Sequence, residues 1–187
     1  MLKRAFDIVL SLAAGIVLLV PCLAVALLVK LTSEGPVLFF SDRVGRDNRI
    51  FRMPKFRSMR IDTPNVATHL LTQPEIYITP VGKFIRKTSL DELPQLWSIL
   101  VGDMSIVGPR PALFNQDNLI ALRTKHGVHR LRPGLTGLAQ VRGRDELSIE
   151  DKVAFDREYL EHQSIWLDLK IIALTVGVIF TSRGVSH

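Results

Sequence analysis

One cysteine, Cys22, stands in a chain of 187 residues, so no disulfide framework holds the fold and a reducing compartment is the favoured setting. Histidine is also sparse. His126 and His129 lie three apart without a nearby cysteine or carboxylate, and read as surface residues rather than as a zinc site. Aromatic residues make up only 7% of the chain, which leaves little for stacking nucleic-acid bases. No P-loop, G-x-G-x-x-G, H-E-x-x-H or G-x-S-x-G pattern occurs, so the nucleotide-fold, zinc-protease and serine-hydrolase signatures are absent. Internal repeats and low-complexity tracts are missing too.

Charge is missing from one long stretch. Positions 8–29 carry none, and fourteen of them are Ile, Leu or Val. Membrane insertion of such a run is favourable by about 4 to 8 kcal/mol, less the penalty for Pro21. It is too long for the apolar part of a signal peptide, and no cleavage-like site follows Lys30. As a straight helix it would measure about 33 Å, enough to cross a bilayer core of about 30 Å. Both flanks are basic, however: Lys3 and Arg4 precede it, and Lys30, Arg43, Arg46, Arg49, Arg52, Lys55, Arg57 and Arg60 follow. Positive charge at both ends asks for one face of the membrane. Pro21 removes a backbone donor and breaks the run into arms of about 20 and 14 Å. A kinked span and a re-entrant hairpin both satisfy these facts.

Overall the chain is basic, with a formal charge of +6, which points to an anionic partner. Beyond Lys30 the pattern is that of a helix-rich α/β domain. "GPVLFF" and "IFRMPKF" read as strands of a short β-hairpin around the turn residues "GRDN". Positions 62–80 read as a surface loop. Helices are predicted from Ser89 or Asp91 towards Gly102, over 113–125, and after Ser148, whose spacing to Asp151 suits a capping box. "RPGLTGLAQVRGR" reads as a loop. The last element, "SIWLDLKIIALTVGVIF", contains Asp168 and Lys170 and suits an interfacial amphipathic helix better than a span.

Three stretches carry candidate chemistry. "RKTSLDELPQLW" sets Asp91 beside Glu92, with Arg86 five residues earlier. As pure structure this is a helix start, with Ser89 capping and Glu92 closing a box. As chemistry, a helix N-terminus stabilises carboxylates and accepts phosphate. Adjacent helical side chains diverge by about 100°, so the two acids suit separate roles, one nucleophile and one metal ligand. "GPRP" stiffens the backbone around Arg110, presenting a planar fork to phosphate or a base, or else forms a rigid connector. "KFRSMR" is a basic cluster that suits a solvated face, lipid headgroups or a substrate phosphate.

In order along the chain, "KRAFDIVLSL", Pro21, "LLVKLTSEGPVLF", "RVGR", "KFRSM", "VGKFIRKTSLDELPQLWSILVGDMSIVGPRP", "RPGLTGLAQVRGR" and "LDLKII" resemble the bacterial sugar transferases known as small monotopic phosphoglycosyl transferases. The resemblance covers the chain from about Lys3 to Phe180. It implies a single catalytic domain over 1–187, with a re-entrant membrane helix in 1–33 broken at Pro21 and a catalytic part, 34–187, on the cytoplasmic face of the bacterial inner membrane. The implied reaction moves a sugar 1-phosphate from a UDP-sugar to undecaprenyl phosphate and releases UMP, as the first membrane step of glycan assembly. Asp91 matches the family's nucleophile and Glu92 its Mg²⁺ ligand, with Asp91 adjoining the metal. Lys55, Arg86, Arg110 and Asp168 match its substrate-binding positions.

Two positions depart from the family. Val20 stands where many relatives have serine before the proline, and Leu138 stands where an aromatic is frequent. Members of the family act as monomers or as homodimers, and the sugar is open. Two rivals have other sequence warrants: a membrane-anchored nucleic-acid binder, for which Phe51 and Phe56 are thin support, and a non-catalytic scaffold in which Asp91 merely belongs to a cap.

Overall fold

A computed structural model describes residues 2–64, 73–143 and 146–181, with side chains considered as far as residue 177. The apolar run folds as two helices, α1 (Leu2–Val17) and α2 (Leu19–Thr32), bent by 62°. The bend falls at Leu18, one turn before Pro21, which corrects the break expected at the proline itself. Pro21 occupies the first turn of α2, where a helical N–H has no intrahelical acceptor anyway, so its missing donor costs little there. The Leu18 N–H still reaches the Ala14 carbonyl at 2.8 Å, and the Cys22 N–H reaches the Leu18 carbonyl at 2.8 Å.

Helix α1 is built inside out. Its buried residues are Asp7 and Ser11, whereas Val9, Ile16 and Val17 face outward, each at least 66% exposed. On α2, Val25 and Val29 point inward, and Val20, Leu23 and Leu31 outward. No single helix among the described residues is long and apolar enough to cross a membrane; the bent pair passes that test jointly, by length and composition.

The expected hairpin is present. Strands β1 (Leu38–Val44) and β2 (Ile50–Phe56) pair antiparallel, Phe40 opposite Pro54 and Asp42 opposite Arg52, around a 3₁₀ turn at Arg46–Asn48. Of the loop expected over 62–80, positions 65–72 lie outside the described residues. Its end holds a 3₁₀ turn at Pro74–Ile76 and a bridge from Ile78 to Met59, and α3 (Pro80–Lys87) follows. The Thr79 hydroxyl caps α3 by accepting from the Gly82 N–H at 2.9 Å, with Pro80 at the first helical position.

Helix α4 (Gln95–Val101) begins later than expected and ends at Gly102 in a left-handed conformation. Strands β3 (Ser105–Val107) and β4 (Ala112–Leu113) precede α5 (Asp117–Lys125). The "RPGLTGLAQVRGR" segment is more ordered than a loop: it contains β5 (Gly134–Thr136) and α6 (Leu138–Arg142). The Ser148 cap holds, its hydroxyl accepting from the Asp151 N–H at 3.0 Å and opening α7 (Ile149–Glu161). Helix α8 (Ile165–Thr181) ends the fold, with Trp166 outside and Ile171 fully buried.

The two sheets are small. One runs β2-β1-β4, and the other is the parallel pair β3-β5, Ser105 opposite Gly134. The main core gathers Met53, Ile99, Met104, Ile106, Val107, Leu138, Tyr159 and Ile171, drawn from both sheets and from α4, α6, α7 and α8. A second core, Val25, Val29, Phe56 and Ile85, joins the bent pair to β2 and α3. Lys55, between Met53 and Phe56, is thereby fixed by both cores.

Candidate active site

The acid pair lies on a tight turn rather than at a capped helix start. After α3 the chain reverses through Ser89, whose φ of 56° and ψ of 17° are left-handed, an uncommon conformation for a residue with a Cβ. Ser89 makes no side-chain cap, so the capping-box reading of this segment fails. A 3₁₀ turn, Leu90–Glu92, follows, and the Glu92 N–H bonds the Ser89 carbonyl at 3.2 Å. Backbone strain held by its surroundings is a recurring property of functional turns.

Cations converge on this turn from three directions. From β2, Lys55 donates to Glu92 Oε1 at 2.8 Å. Arg110, from the connection between β3 and β4, approaches the same oxygen at 3.5 Å. Arg86, at the end of α3, lowers the proton affinity of Asp91, as do Lys55 and Arg110. Burial nonetheless pushes the Asp91 carboxyl above its ordinary range, aided by the neighbouring Glu92 charge and opposed most strongly by Lys55. Asp91 is only 8% exposed.

Arg110 is held from behind by residues that the sequence reading did not assign to the site. Arg123 donates to the Arg110 carbonyl at 2.8 Å and is itself gripped by Asp156 at 2.7 and 2.9 Å. Arg43 donates to the Pro111 carbonyl at 3.2 Å and to the Ser41 hydroxyl at 3.0 Å. Burial, and then Arg110, lower the Arg43 pKa to about 10, while Glu92 opposes the change. Arg43 had a sequence signal, its place in "RVGR"; Arg123 and Asp156 had none, since 33 residues separate them. Behind the Pro–Arg–Pro segment, backbones touch. A Cβ on Gly134 would lie 2.1 Å from the Gly108 nitrogen, and one on Gly108 would lie 2.4 Å from the Arg132 carbonyl. Only glycine permits this approach.

Five expected site residues, Lys55, Arg86, Asp91, Glu92 and Arg110, are therefore brought together. Asp168 is not among them. It is fully buried, accepting from Lys3 at 2.8 Å and from the Tyr159 hydroxyl at 2.6 Å, while Asp7, 3.6 Å from the same lysine, accepts from Ser105 at 2.9 Å. This network ties α1 to β3, α7 and α8. Burial and the Asp168 hydrogen bond raise the Tyr159 pKa, which keeps its hydroxyl a donor. A carboxylate enclosed this way supports the scaffold and has no surface to offer a substrate.

The Asp91 and Glu92 carboxylates are hard oxygen donors of the kind Mg²⁺ takes. No cluster of three or more His, Cys, Asp or Glu occurs among the described residues, so no all-protein metal cage is present there. Mg²⁺ needs no cage: one or two carboxylates plus substrate phosphates suffice. The adjacent Asp91 and Glu92, with burial working against the ionised Asp91, suit a cation that arrives with a phosphate ligand.

Comparison with known proteins finds a matching family and several relatives. A family model described as bacterial sugar transferase matches residues 1–182. The chain is similar to the UDP-glucose:undecaprenyl-phosphate glucose-1-phosphate transferase of Escherichia coli (strain K12), 44% identical over 98% of this chain and 41% of that protein. It is 39% identical to the UDP-N-acetylgalactosamine-undecaprenyl-phosphate N-acetylgalactosaminephosphotransferase of Aeromonas hydrophila, over 98% of this chain and 44% of that one. An uncharacterized sugar transferase of Bacillus subtilis (strain 168) is 40% identical over 100% of this chain and 91% of its own length. Against the first two, the chain spans about two fifths of the relative's length.

Proposed function

We propose a reaction for this chain from one premise: it belongs to the bacterial sugar transferase family. The chain transfers a sugar 1-phosphate from a UDP-sugar to undecaprenyl phosphate, as the names of its relatives state for those proteins. The observation that carries this reading is a buried carboxylate, Asp91, facing three cations beside a second carboxylate. That arrangement suits attack on an anionic diphosphate, where the nucleophile needs partial desolvation and the phosphoryl oxygens need positive charge.

In the first step an Asp91 carboxylate oxygen attacks the phosphorus that carries the sugar. The phosphoanhydride P–O bond breaks, its electron pair leaves on the phosphate of UMP, and Asp91 holds the sugar phosphate as a mixed anhydride. Arg110, whose backbone is fixed by Arg123 and Arg43, and Arg86 offset the charge that develops on the phosphoryl oxygens. Lys55 pairs with Glu92 at 2.8 Å and so fixes the carboxylate next to Asp91 on the same turn. In the second step an oxygen of undecaprenyl phosphate attacks the same phosphorus and the Asp91 carboxylate leaves. Mg²⁺, held by Glu92 and Asp91 together with substrate phosphate, would supply the remaining charge neutralisation.

The bent pair of helices acts as a re-entrant anchor that keeps the turn at headgroup height on the cytoplasmic face of the bacterial inner membrane. Support comes from the inside-out burial of α1 and the basic residues at both ends of the pair. Exposed Trp166 on α8 suits the same interface.

The test is UMP release from UDP-glucose, UDP-galactose and UDP-N-acetylgalactosamine with undecaprenyl phosphate. Asp91→Asn is expected to lower turnover by about 1,000-fold or more. The unchanged chain, given radiolabelled UDP-sugar without acceptor, should retain label on protein, and the variant should not. Full turnover by Asp91→Asn would refute the reaction.

A further inference from the structure

Gln95 is 3% exposed, and its side-chain nitrogen Nε2 is buried with no hydrogen-bond partner. Buried amide donors are nearly always paired, and one left alone lowers stability, so an orphan marks a group that waits for an acceptor. Gln95 opens α4, three residues after the turn that carries the acid pair. From Ser89 to Trp97 the chain is wound tightly, with Leu93 N–H bonding Leu90 carbonyl at 3.3 Å and Trp97 N–H bonding Pro94 carbonyl at 3.1 Å. In such winding, residues three and four apart share a face, so Gln95 lies one turn from both Glu92 and Asp91. Glu92 already accepts from Lys55. The Asp91 carboxyl, also buried, accepts no hydrogen bond among the described residues. A donor without an acceptor and an acceptor without a donor thus sit within one turn.

We propose that Gln95 is a positioning residue: in the substrate-loaded chain its amide donates to Asp91 and holds one carboxylate oxygen, leaving the other aimed at phosphorus. This deepens the transferase reading and rests on it. Hydrogen bonds of this kind are commonly long or unmade without substrate and tighten in the loaded state. Gln95 is too deep to touch a sugar nucleotide, so its effect falls on the orientation of Asp91 and not on substrate affinity.

Gln95→Met keeps the volume and removes the donor. The chain is assayed with whichever UDP-sugar of the panel it turns over. The expected variant unfolds at the same or a higher temperature, because an orphan donor has gone, yet loses kcat by about 10-fold or more with KM within about twofold. A second readout is the ¹⁵N signal of the Gln95 side-chain amide, which should shift when that UDP-sugar and Mg²⁺ are added without acceptor. Full kcat in Gln95→Met overturns the proposal. Should that variant fail to fold, the amide signal of the unchanged chain decides: a shift supports the proposal and an unmoved signal overturns it. A failure of the transferase reading is seen separately, as turnover that survives Asp91→Asn.

Discussion

Lys55 and Asp91 show how one side chain sets the working range of another. Burial holds the Asp91 proton more tightly than in water, and Lys55 is the strongest influence in the opposite direction. A protonated carboxyl cannot attack, so kcat/KM should rise with pH through the Asp91 pKa, along a limb that lies above the ordinary aspartate value of about 3.9. Lys55→Met removes the opposing charge. The limb should then move to higher pH, and the rate on the plateau should fall on the order of 100-fold, checked by a pH profile of UMP release. Asp156 works at one remove. Burial raises its pKa and Arg123 pulls it back, and the pair anchors the Arg110 carbonyl. Asp156→Asn leaves the Arg123 charge buried without a carboxylate. A loss of about 3 kcal/mol or more is expected in denaturant unfolding, together with a raised KM for the UDP-sugar.

Among the elements, the bent pair has the clearest consequence. Pro21 lies in the first turn of α2, so the 62° bend at Leu18 is where the chain avoids a clash between the proline ring and the preceding turn. Restoring the donor with Pro21→Ala allows one continuous helix over 2–32, about 46 Å long and sufficient to cross a bilayer. The expected outcome is a variant whose amino terminus becomes reactive to an impermeant label in intact cells. The hairpin of β1 and β2 was legible beforehand because alternation and turn residues are local signals. Helix α3 was not, since "VGKFIRK" is short and its cap, Thr79, lies at the edge of a stretch that reads as loop. The capping reading of Ser89 was sound local chemistry, overridden by the left-handed turn that tertiary packing imposes.

At the scale of the whole molecule, exposed apolar side chains cover the bent pair and recur on α3, α4 and α8, while Lys55, Arg86 and Arg110 gather around an acidic turn. The buried set of Lys3, Asp7, Ser105, Tyr159 and Asp168 ties α1 to β3, α7 and α8, and Arg4 donates to the Ile99 and Leu100 carbonyls at the end of α4. The bent pair is thereby tied through α4 to the segment that follows the acid pair. With cysteine introduced at Leu2 or at Ile149, an impermeant thiol reagent should label neither site in intact cells and both after lysis. Labelling of position 2 alone from outside would place the ends of the bent pair on opposite faces.

By itself the sequence determined which residues are candidates for chemistry: a charge-free run of 22 positions, an Asp–Glu pair and an arginine between prolines are covalent facts that no packing can alter. Tertiary structure decided which polar residues meet. It brought Lys55 across 37 residues to Glu92, placed Arg43 and Arg123 behind Arg110, and withdrew Asp168 into the scaffold. The reason is that hydrophobic patterning specifies faces of helices and strands, whereas the partners of a charge depend on which faces the closed core sets against each other.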